Sequence, residues 1–298
     1  MTNPTGLSIL IPTYNYDVRK LIQQLQEQLL VLTVPAEILC YDDASPSEAI
    51  KLVNRDIRKL SFVMYAELHT NLGRAAIRNK LASDANYNKL LFIDCDSELV
   101  SNIFLKNYLE QSGKYHALVG GTVYNETNSN PEYSLRWTYG KAREQRAAKE
   151  RNNCPYESLT LNNFFIDRDT FLTIKLDEKI EGYGHEDTKF GYTLQKNTIS
   201  LRHIDNPVLH CGLETNEVYL EKTEAAIKNF YKLSLQGYGR GTRLFKSYKL
   251  LKTLRLARLY RFVFSAFRKS IIRNLSSLHP SLLLFDLYKL RLLLEEEK

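Results

Sequence analysis

A short apolar run that ends in two carboxylates constrains the fold more than any other part of the sequence. Residues 90–93 are Leu-Leu-Phe-Ile, and Asp94 and Asp96 follow with only Cys95 between them. A continuous apolar run of this length is typical of a strand that is buried on both faces of a sheet. Open α/β sheets bind ligands at the carboxyl ends of such strands. The paired carboxylates there predict a divalent cation with oxygen ligands, and the alternative is a polar strand end followed by a turn.

Strand and helix patterns alternate over the first hundred residues. Strands are predicted at residues 7–12, 36–41, 61–65 and 90–93, and helices at residues 17–32, 47–60 and 71–83. This alternation predicts a parallel sheet with helices on both faces. Crossover helices bring the ends of parallel strands to one edge, so the polar residues that follow the strands should converge there. These residues are Thr13, Tyr14, Asn15, Asp42, Asp43, Asp94 and Asp96.

The second half of the chain keeps α/β elements with less regular spacing. Strands are predicted at residues 115–124, 161–166, 199–204 and 207–210, and a helix at residues 188–195. Residues 135–153 are charged, a pattern that fits a solvated helix or a mobile flap.

The basic charge of the chain is confined to its C-terminal part. The net charge is +7, but residues 243–273 hold ten Lys or Arg and no Asp or Glu. The other 31 basic and 34 acidic residues give the rest of the chain a net charge of −3. A domain boundary is therefore predicted between residues 236 and 237, where the sequence Gly-Tyr-Gly-Arg-Gly begins.

Cysteine usage and hydropathy favour a cytoplasmic protein. The four cysteines are scattered without metal-ligand spacing, which predicts free thiols in a reducing compartment. The N-terminus lacks the basic region and long apolar run of a signal peptide. No run of about 20 apolar residues predicts a membrane-spanning helix. The expected location is the cytoplasm, with peripheral contact at the inner face of the cytoplasmic membrane as a further expectation.

Five motifs in order resemble glycosyltransferase family 2 on the GT-A fold. They are Ile11-Pro12-Thr13-Tyr14-Asn15, Tyr41-Asp42-Asp43-Ala44-Ser45, Asn71-Leu72-Gly73 with Arg78-Asn79, Phe92-Ile93-Asp94-Cys95-Asp96, and Gly182-Tyr183-Gly184-His185-Glu186-Asp187. The last is similar to the glycine-rich Glu-Asp motif of galactosyltransferase-like and chondroitin-polymerase-like members. The resemblance covers residues 7–230 and implies a Rossmann-like mixed sheet flanked by helices. Residues 1–236 would form the catalytic domain and residues 237–298 a basic helical appendage.

The resemblance implies that the first two motifs bind the base of a UDP-sugar. Pro12, Thr13 and Tyr14 would line the base, and Tyr14 would be available to pack on its apolar face. Asp43 would accept a hydrogen bond from the uracil ring N–H.

The resemblance places the diphosphate near the third and fourth motifs. Gly73 would let the backbone approach the nucleotide, and Arg78 would face the diphosphate or the base. Asp94 would contact the ribose or the metal, and Cys95 would belong to the same nucleotide-sugar site. Cys95 is a departure from the family, which often has a small residue or Asp at that position.

A divalent cation is implied as the cofactor, with Asp96 as its main ligand, assisted by His210 and Asp94. The metal would bridge the phosphates and neutralise the leaving diphosphate. A histidine ligand favours Mn²⁺ over Mg²⁺ because imidazole suits softer ions. The alternative for His210 is a hydrogen-bonded structural residue at a strand end.

Glu186 and Asp187 form a second acidic centre. Transfer with inversion needs one base to take the proton of the acceptor hydroxyl, and the resemblance assigns that role to Asp187. Glu186 would hydrogen-bond the acceptor or donor sugar. The alternative is that Asp187 caps the helix that follows, and the two roles are compatible.

Three residues are candidates for the acceptor site. The ring of Trp137 can stack on a sugar, and the amides of Asn162 and Asn163 can hydrogen-bond sugar hydroxyls. Trp137 could equally pack in a core, and the two amides could satisfy backbone groups at a strand end.

The basic C-terminal segment is predicted to form two or three helices. Six of its basic residues recur every third position, and such charges would wrap around one long helix instead of making one face. Basic residues beside bulky apolar ones suggest adhesion to an anionic membrane surface, which suits a lipid-linked acceptor. The alternative is a helical subdomain that packs on the core or on a partner chain.

The favoured function is transfer of a sugar, a hexose or an N-acetylhexosamine, from a UDP-sugar to a saccharide hydroxyl. The resemblance points to bacterial surface polysaccharide or lipid-linked glycan synthesis. One alternative is a nucleotidyltransferase acting on sugar phosphates, although the loop after the first strand lacks a glycine-rich and basic phosphate site. Another is nucleic-acid binding through the basic segment, which is not expected because it leaves the acidic residues unexplained.

Overall fold

The structure is a computed structural model that describes residues 5–180 and 182–296. The chain divides into two compact units. Unit 1 comprises Met1–Val123, Gln145–Ile180 and Glu186–Gly212, and unit 2 comprises Tyr124–Glu144, Glu181–His185 and Leu213–Lys298. Glu181, at the start of the predicted acidic segment, lies outside the described residues.

The strands of the structure belong to unit 1. In chain order they are β1 (Leu7–Thr13), β2 (Ala36–Asp42), β3 (Val63–Glu67), β4 (Lys89–Ile93), β5 (Ser97–Leu99), β6 (Ala117–Val119), β7 (Thr122–Val123), β8 (Asn163–Asp167), β9 (Leu201–His203) and β10 (Val208–His210). The main sheet has the order β3-β2-β1-β4-β8-β6-β9, and a smaller sheet has the order β5-β10-β7.

The main sheet is mixed. Strands β3, β2, β1 and β4 are mutually parallel, as the alternating pattern predicts. Strand β8 is antiparallel to both of its neighbours, β4 and β6. A parallel sheet is therefore the correct prediction for the first four strands, and the mixed sheet implied by the resemblance is correct for the whole.

The helices of unit 1 cover both faces of the main sheet. They are α1 (Arg19–Leu29), α2 (Glu48–Asn54), α3 (Arg74–Asp84), α4 (Phe104–Gln111), α6 (Ala148–Arg151), α7 (Arg168–Ile174) and α8 (Glu186–Lys196), with a 3-10 turn at Arg55–Lys59. Helix α5 (Ser134–Tyr139) lies in unit 2. Successive residues of a strand face opposite sides. Accordingly, Ile9 and Ile11 pack in one core cluster with α1, and Leu10 packs in the other with α3.

The predicted strand at residues 115–124 is split into β6 and β7 by two glycines. Gly121 has φ +91°, a conformation that side chains rarely adopt. At Gly120, an added Cβ would collide with Asn206 O and with the hydroxyl of Tyr108. The chain therefore leaves the main sheet after β6 and enters the small sheet at β7.

Unit 2 is helical within the described residues. Its helices are α5 (Ser134–Tyr139), α9 (Asn216–Leu235), α10 (Arg243–Thr253), α11 (Ala257–Leu275) and α12 (Leu282–Glu295), with a 3-10 turn at Pro131–Tyr133 and a π-helical turn at Gly140–Glu144. Side-chain hydroxyls start several of these helices, because Thr215, Thr242 and Ser281 each accept a hydrogen bond from a free backbone N–H. The basic segment thus forms separate helices, as predicted.

The compact units do not divide at residue 236. Helix α9 ends at Leu235 but shares core clusters with the C-terminal helices: Tyr219 packs with Phe285, and Phe230 packs with Leu293. Separate roles for residues 1–236 and 237–298 stay a prediction. Among the residues that the structure describes, every helix is too short or too polar to cross a membrane.

Candidate active site

The first acidic residue after β4 is paired with a buried arginine. Asp94 Oδ1 accepts a hydrogen bond of 2.5 Å from Arg78 Nη2, and Arg78 is only 3% exposed. Burial raises the pKa of Asp94, but the charges of Arg78 and Arg74 lower it by more, so the net shift is downward. Removing one partner of a buried pair is costly because the other charge is left uncompensated. Asp94 is therefore held as a fixed carboxylate.

Arg78 makes only internal hydrogen bonds among those described. Its side chain is buried in α3 and pairs with Asp94. Its Nη1 donates to the backbone oxygen of Arg74 at 2.9 Å. A contact of Arg78 with the diphosphate or the base stays a prediction.

Asp96 and His210 lie side by side. Their Oδ2 and Nδ1 atoms are 3.5 Å apart, and both side chains remain partly exposed. The pairing follows from the small sheet, in which β10 runs antiparallel to β5 and Cys211 N donates to Asp96 O at 2.8 Å. At Gly212, an added Cβ would overlap the Asp96 carboxylate. Glycine at position 212 therefore leaves the room that this carboxylate occupies.

A second ion pair joins helix α3 to the start of α8. Arg74 Nε donates to Glu186 Oε1 at 2.6 Å, and Glu186 is buried. Burial raises the pKa of Glu186, but the charges of Arg74 and Arg78 lower it by more. Because Arg78 also bonds the backbone oxygen of Arg74, one turn of α3 connects the acidic residue after β4 with the Glu-Asp motif.

Asp187 differs from its acidic neighbours. Burial and the charge of Glu186 raise its pKa to about 6, against the opposing effects of hydrogen bonding by Thr188 and the charge of Arg74. Its Oδ1 accepts from Thr188 N at 2.6 Å. Helix α8 begins at Glu186, two residues earlier than predicted, so Asp187 lies within the first turn. A carboxyl with a pKa near neutrality can accept a proton at physiological pH and release it again.

Asp43 holds a turn of the backbone. Its Oδ1 accepts from Leu72 N at 2.7 Å and its Oδ2 from Gly73 N at 3.0 Å. Burial raises the pKa of Asp43, and these hydrogen bonds oppose the rise. Gly73 itself has φ +83° and begins α3, with open space around an added Cβ. Glycine is thus favoured there by its conformation, and the contacts of Asp43 and Gly73 with a nucleotide stay predictions.

The segment after β1 contributes mainly backbone and one aromatic ring. The hydroxyl of Thr13 is buried 3.2 Å from Cys40 Sγ, and a contact of Thr13 with a base stays a prediction. Pro12 is partly buried in β1, and Tyr14 is 53% exposed and free to stack on a planar group. Cys95 borders a cavity of about 470 Å³ that is also lined by Tyr16 and other residues of the α1 region.

The two amides at the start of β8 have different environments. Asn163 is fully buried: its Nδ2 donates to Gly121 O and Asn206 O, and its Oδ1 accepts from Tyr108 Oη at 2.6 Å. The structure therefore gives Asn163 a structural role, and an acceptor contact by Asn163 stays a prediction. Asn162 is partly exposed and donates to Thr122 Oγ1 at 2.7 Å, so its acceptor role stays a prediction.

Trp137 lies in unit 2, on α5. It is partly exposed, and its Nε1 donates to Asn125 O at 2.9 Å. Its neighbour Arg136 is buried between the rings of Tyr124 and Tyr219, each centred 5.4 Å from the guanidinium carbon. An acceptor contact by Trp137 stays a prediction.

None of the sequence motifs includes Arg74 or Gly212, although both residues shape the acidic site. A salt bridge across 112 positions, such as Arg74 to Glu186, leaves no local signal in a single sequence. Within residues 5–180 and 182–296, no cluster of three or more His, Cys, Asp and Glu side chains is arranged to hold a metal.

Comparison with known families identifies the class of protein. The model of the family described as "Glycosyl transferase family 2" matches residues 8–171. The match covers more than half of the 298 residues, so the chain belongs to glycosyl transferase family 2. This confirms the resemblance carried by the five motifs.

A curated relative is chondroitin synthase from Pasteurella multocida (strain Pm70), which is 24% identical over 233 residues. The alignment covers 67% of this chain and 24% of the relative, so the chain spans about a quarter of that protein's length.

Two solved structures share the fold. The mannosyltransferase PcManGT from Pyrobaculum calidifontis, in complex with GDP-Man and Mn²⁺, has a TM-score of 0.52 at 15% identity, covering 76% of this chain and 63% of that one. S. aureus TarS 1–349, in complex with UDP-GlcNAc, has a TM-score of 0.51 at 16% identity, covering 76% and 66%. These likenesses confirm the predicted GT-A fold.

Proposed function

We propose that the chain transfers a sugar from a UDP-sugar to a saccharide hydroxyl, with inversion at the anomeric carbon. The observation that carries the proposal is the set of carboxyls at one edge of unit 1. Asp94 and Glu186 are each paired with an arginine, while the pKa of Asp187 is raised to about 6. This reaction needs carboxylates that stay ionised and one carboxyl that can take a proton. The carboxyls at this edge fit these two roles.

Asp187 is the proposed base. The acceptor oxygen attacks the anomeric carbon and forms the new glycosidic bond, while the bond to the diphosphate oxygen breaks and UDP leaves with the electron pair. Asp187 takes the proton of the acceptor hydroxyl. Its position in the first turn of α8 and its bond to Thr188 N hold the carboxylate in one orientation. Glu186, fixed by Arg74, is proposed to hydrogen-bond a sugar.

A divalent cation is proposed as cofactor, and two side chains fit it. Asp96 and His210 offer an oxygen and a nitrogen 3.5 Å apart, and the absence of a side chain at Gly212 lets the carboxylate take this position. When bound, the ion would neutralise charge on the leaving diphosphate. Asp94 has one oxygen engaged by Arg78, so it is proposed as a ribose contact or a weaker ligand. The complex of PcManGT with GDP-Man and Mn²⁺ supports a cation, and the imidazole ligand favours Mn²⁺ over Mg²⁺.

The donor is proposed to be a UDP-sugar that carries a hexose or an N-acetylhexosamine. The UDP-GlcNAc complex of TarS supports this class of donor. Exposed Tyr14 is the proposed stacking partner of the base, and Asp43 its hydrogen-bond acceptor. The similarity to chondroitin synthase supports a saccharide acceptor, in surface polysaccharide or lipid-linked glycan synthesis.

A peripheral location on an anionic membrane surface is proposed for the C-terminal helices. Ten basic residues and no acidic residue lie between positions 243 and 273. Large apolar side chains are exposed among them, including Phe262 and Phe267. Such a surface gains free energy from both anionic headgroups and the apolar interior of a bilayer.

A donor panel tests the catalytic proposal. The protein is mixed with Mn²⁺ or Mg²⁺, several UDP- and GDP-sugars, and chondroitin-type or lipid-linked oligosaccharides, and UDP release and product mass are measured. We expect metal-dependent release of UDP with an elongated saccharide. Release of pyrophosphate with formation of a nucleotide sugar would instead identify a nucleotidyltransferase, and binding of oligonucleotides without either reaction would favour the nucleic-acid alternative.

A further inference from the structure

Helix α3 holds the segment that follows α7. Asn79 on α3 is only 4% exposed and uses both ends of its amide for this purpose. Its Nδ2 donates to Leu176 O at 2.9 Å, and its Oδ1 accepts from Leu176 N at 2.9 Å. The same Nδ2 donates to Glu178 Oε1 at 2.8 Å. Because one buried side chain bonds both backbone groups of Leu176, this segment is fixed relative to α3.

An ion pair joins the same segment to the first turn of α8. Lys189 Nζ donates to Asp177 Oδ2, and this hydrogen bond is the main cause of the lowered pKa of Asp177. Both side chains are partly buried, Lys189 at 22% and Asp177 at 25% exposed. Asp177 lies between Leu176 and Glu178, the two residues that Asn79 bonds. Asn79 therefore fixes the chain on both sides of the carboxylate that receives Lys189.

The body of α8 is held in a different way, by apolar packing. The ring of Phe190 lies 5.9 Å from that of Phe164 and 5.5 Å from that of Phe171, measured between centroids. Leu194 belongs to the same core cluster. Apolar contacts are not directional, whereas hydrogen bonds and ion pairs act between defined atoms. The polar contacts of the first turn therefore specify its position more narrowly than the packing does.

Asp187 lies between the two residues of α8 that these polar contacts hold. On one side, Glu186 is bonded by Arg74 at 2.6 Å. On the other, Lys189 pairs with Asp177. Arg74 and Asn79 are five residues apart on α3, or about 7.5 Å along its axis. Two separated points of one helix thus support the turn that carries Asp187.

We propose that Asn79, Asp177 and Lys189 are positioning residues that hold the first turn of α8, and with it Asp187, in the orientation that transfer requires. These three residues are called the α8 clamp. The proposal rests on the function proposed above, in which Asp187 is the base. A base must lie within hydrogen-bond reach of the acceptor hydroxyl, so a small displacement of this turn costs rate.

A matched pair of lysine variants tests the clamp in the full-length protein. Lys189→Met removes the ion pair with Asp177. Lys89→Met removes the pair with Asp167, which is equally buried, with side chains 19% and 28% exposed, and lies at the start of β4. Both variants should lose a similar part of their stability to urea. In Lys189→Met alone, kcat should fall by at least about tenfold with the KM for the UDP-sugar nearly unchanged. Equal kcat values in the two variants would overturn the proposal.

The pH profile separates displacement of Asp187 from a change of charge near it. The charged groups that act on Asp187 are Glu186 and Arg74, and burial is the largest cause of its raised pKa. Removing the charge of Lys189 and leaving Asp177 unpaired would raise this pKa further and move the acid limb of kcat to higher pH. A released first turn admits water, which lowers the pKa and moves the limb to lower pH. We expect the move to lower pH, and any other result contradicts the clamp.

A double-mutant cycle tests whether Asn79 and Lys189 act through the same turn. Asn79→Ser removes the bonds to Leu176 and Glu178 and should also lower kcat. If both residues support one position of Asp187, the loss in Asn79→Ser/Lys189→Met is smaller than the product of the two single losses. Losses that multiply would mean that the residues act independently, and the clamp would be wrong.

Hydrogen exchange distinguishes failure of the clamp from failure of the proposed function. Amides of residues 186–194 should exchange faster in Lys189→Met than in Lys89→Met or the unmodified protein. If Asp187→Asn keeps its activity while these amides exchange faster in Lys189→Met, the proposed function fails and the clamp stands. If Asp187→Asn is inactive and their exchange is unchanged in Lys189→Met, the clamp is wrong and the proposed function stands.

Discussion

Charged side chains are arranged in opposite ways at the strand edge of unit 1 and on the C-terminal helices of unit 2. At the strand edge, Asp94 and Glu186 are each within hydrogen-bond distance of an arginine, and each of the two pairs has one buried member. Along residues 243–273, which include α10 and most of α11, ten basic residues stand in a segment without acidic residues, next to exposed apolar side chains. Paired and buried charge fixes geometry, whereas exposed charge of one sign attracts an oppositely charged partner. The difference supports the proposals of catalysis at the strand edge and of association at the C-terminal helices.

The largest expected effect comes from Asp187→Asn. The amide keeps the hydrogen bond from Thr188 N but cannot take a proton, so kcat should fall by about 10³-fold, within the range for loss of a general base. Affinity for the UDP-sugar should remain nearly unchanged. Asp169→Asn, in the first turn of α7, is the matched control and should keep full activity. A comparable loss of donor affinity in Asp187→Asn would argue against a base.

Replacement of Asn163 separates structure from function at the same edge. Asn163→Ala removes the hydrogen bonds of this side chain with Tyr108 Oη, Gly121 O and Asn206 O. The first two groups keep a weaker contact, from Tyr108 Oη to the backbone oxygen of residue 163 and from Val208 N to Gly121 O, so Asn206 O is affected most. Because a buried polar group without a partner costs about 1–3 kcal/mol, we expect the free energy of unfolding in urea to fall by about 3 kcal/mol. Asn162→Ala should cost less than about 1 kcal/mol, since only its bond to Thr122 is lost. Equal costs would mean that the contrast between the two amides is wrong.

Gly212→Ala tests the metal proposal without changing a ligand. Its added methyl group would displace the Asp96 carboxylate. Because altered support of a ligand typically weakens metal affinity 10- to 100-fold, we expect half-maximal activity to need at least about tenfold more Mn²⁺. Saturating Mn²⁺ should restore most of the activity. An unchanged metal requirement would argue against Asp96 as a ligand.

Neutralising part of the basic surface of α11 should weaken adhesion to vesicles. Each basic residue near an anionic surface contributes about 1 kcal/mol, so Arg258→Gln/Lys269→Gln should lower partitioning about 30-fold. Lys228→Gln/Lys232→Gln on α9 is the control with the same loss of charge. Raising the salt concentration should reduce the difference, and neutral phosphatidylcholine vesicles should remove it. Substitutions are preferred to truncation because the core of α9 packs against residues of α12.

The smallest expected effect is a displacement of the pH profile. With a pKa of about 6, Asp187 is protonated below that pH, so kcat should fall as the pH drops through 6. The charge of Arg74 lowers this pKa, and Arg74→Gln should therefore move the acid limb to higher pH. Lys80→Gln, farther along α3, should leave the limb in place. An unmoved limb in Arg74→Gln would mean that another group titrates.

The sign of this pKa shift also predicts an effect on stability. The folded-state pKa of Asp187 lies above its unfolded value, so folding becomes less favourable as the pH rises from about 4 to about 6. Asp187→Asn lacks this cost. Its advantage in unfolding temperature should be present at pH 8 and vanish below pH 4.

The sequence alone is enough to predict the strands and helices of unit 1 and the polar groups that follow the strands. The apolar runs fix β1, β2 and β4 because a buried strand needs apolar residues on both faces, and the polar residues after them had to meet at one edge of a parallel sheet. The three-residue spacing of the basic residues likewise predicted separate C-terminal helices, because such charges would wrap around one long helix. These are local or topological constraints, and one sequence is enough to state them.

Which polar groups are paired, and which are available to bind a ligand or a proton, depends on tertiary contacts. Asp94, Asp43 and Asn163 look alike in sequence as polar residues at strand ends, yet one meets a buried arginine, one holds a backbone turn, and one is fully hydrogen-bonded inside the core. The raised pKa of Asp187 depends in the same way on burial and on the charge of Glu186. That charge is in turn paired with Arg74, which lies far away in the sequence. Burial and pairing are set by contacts between residues far apart in the chain, and no local pattern specifies them.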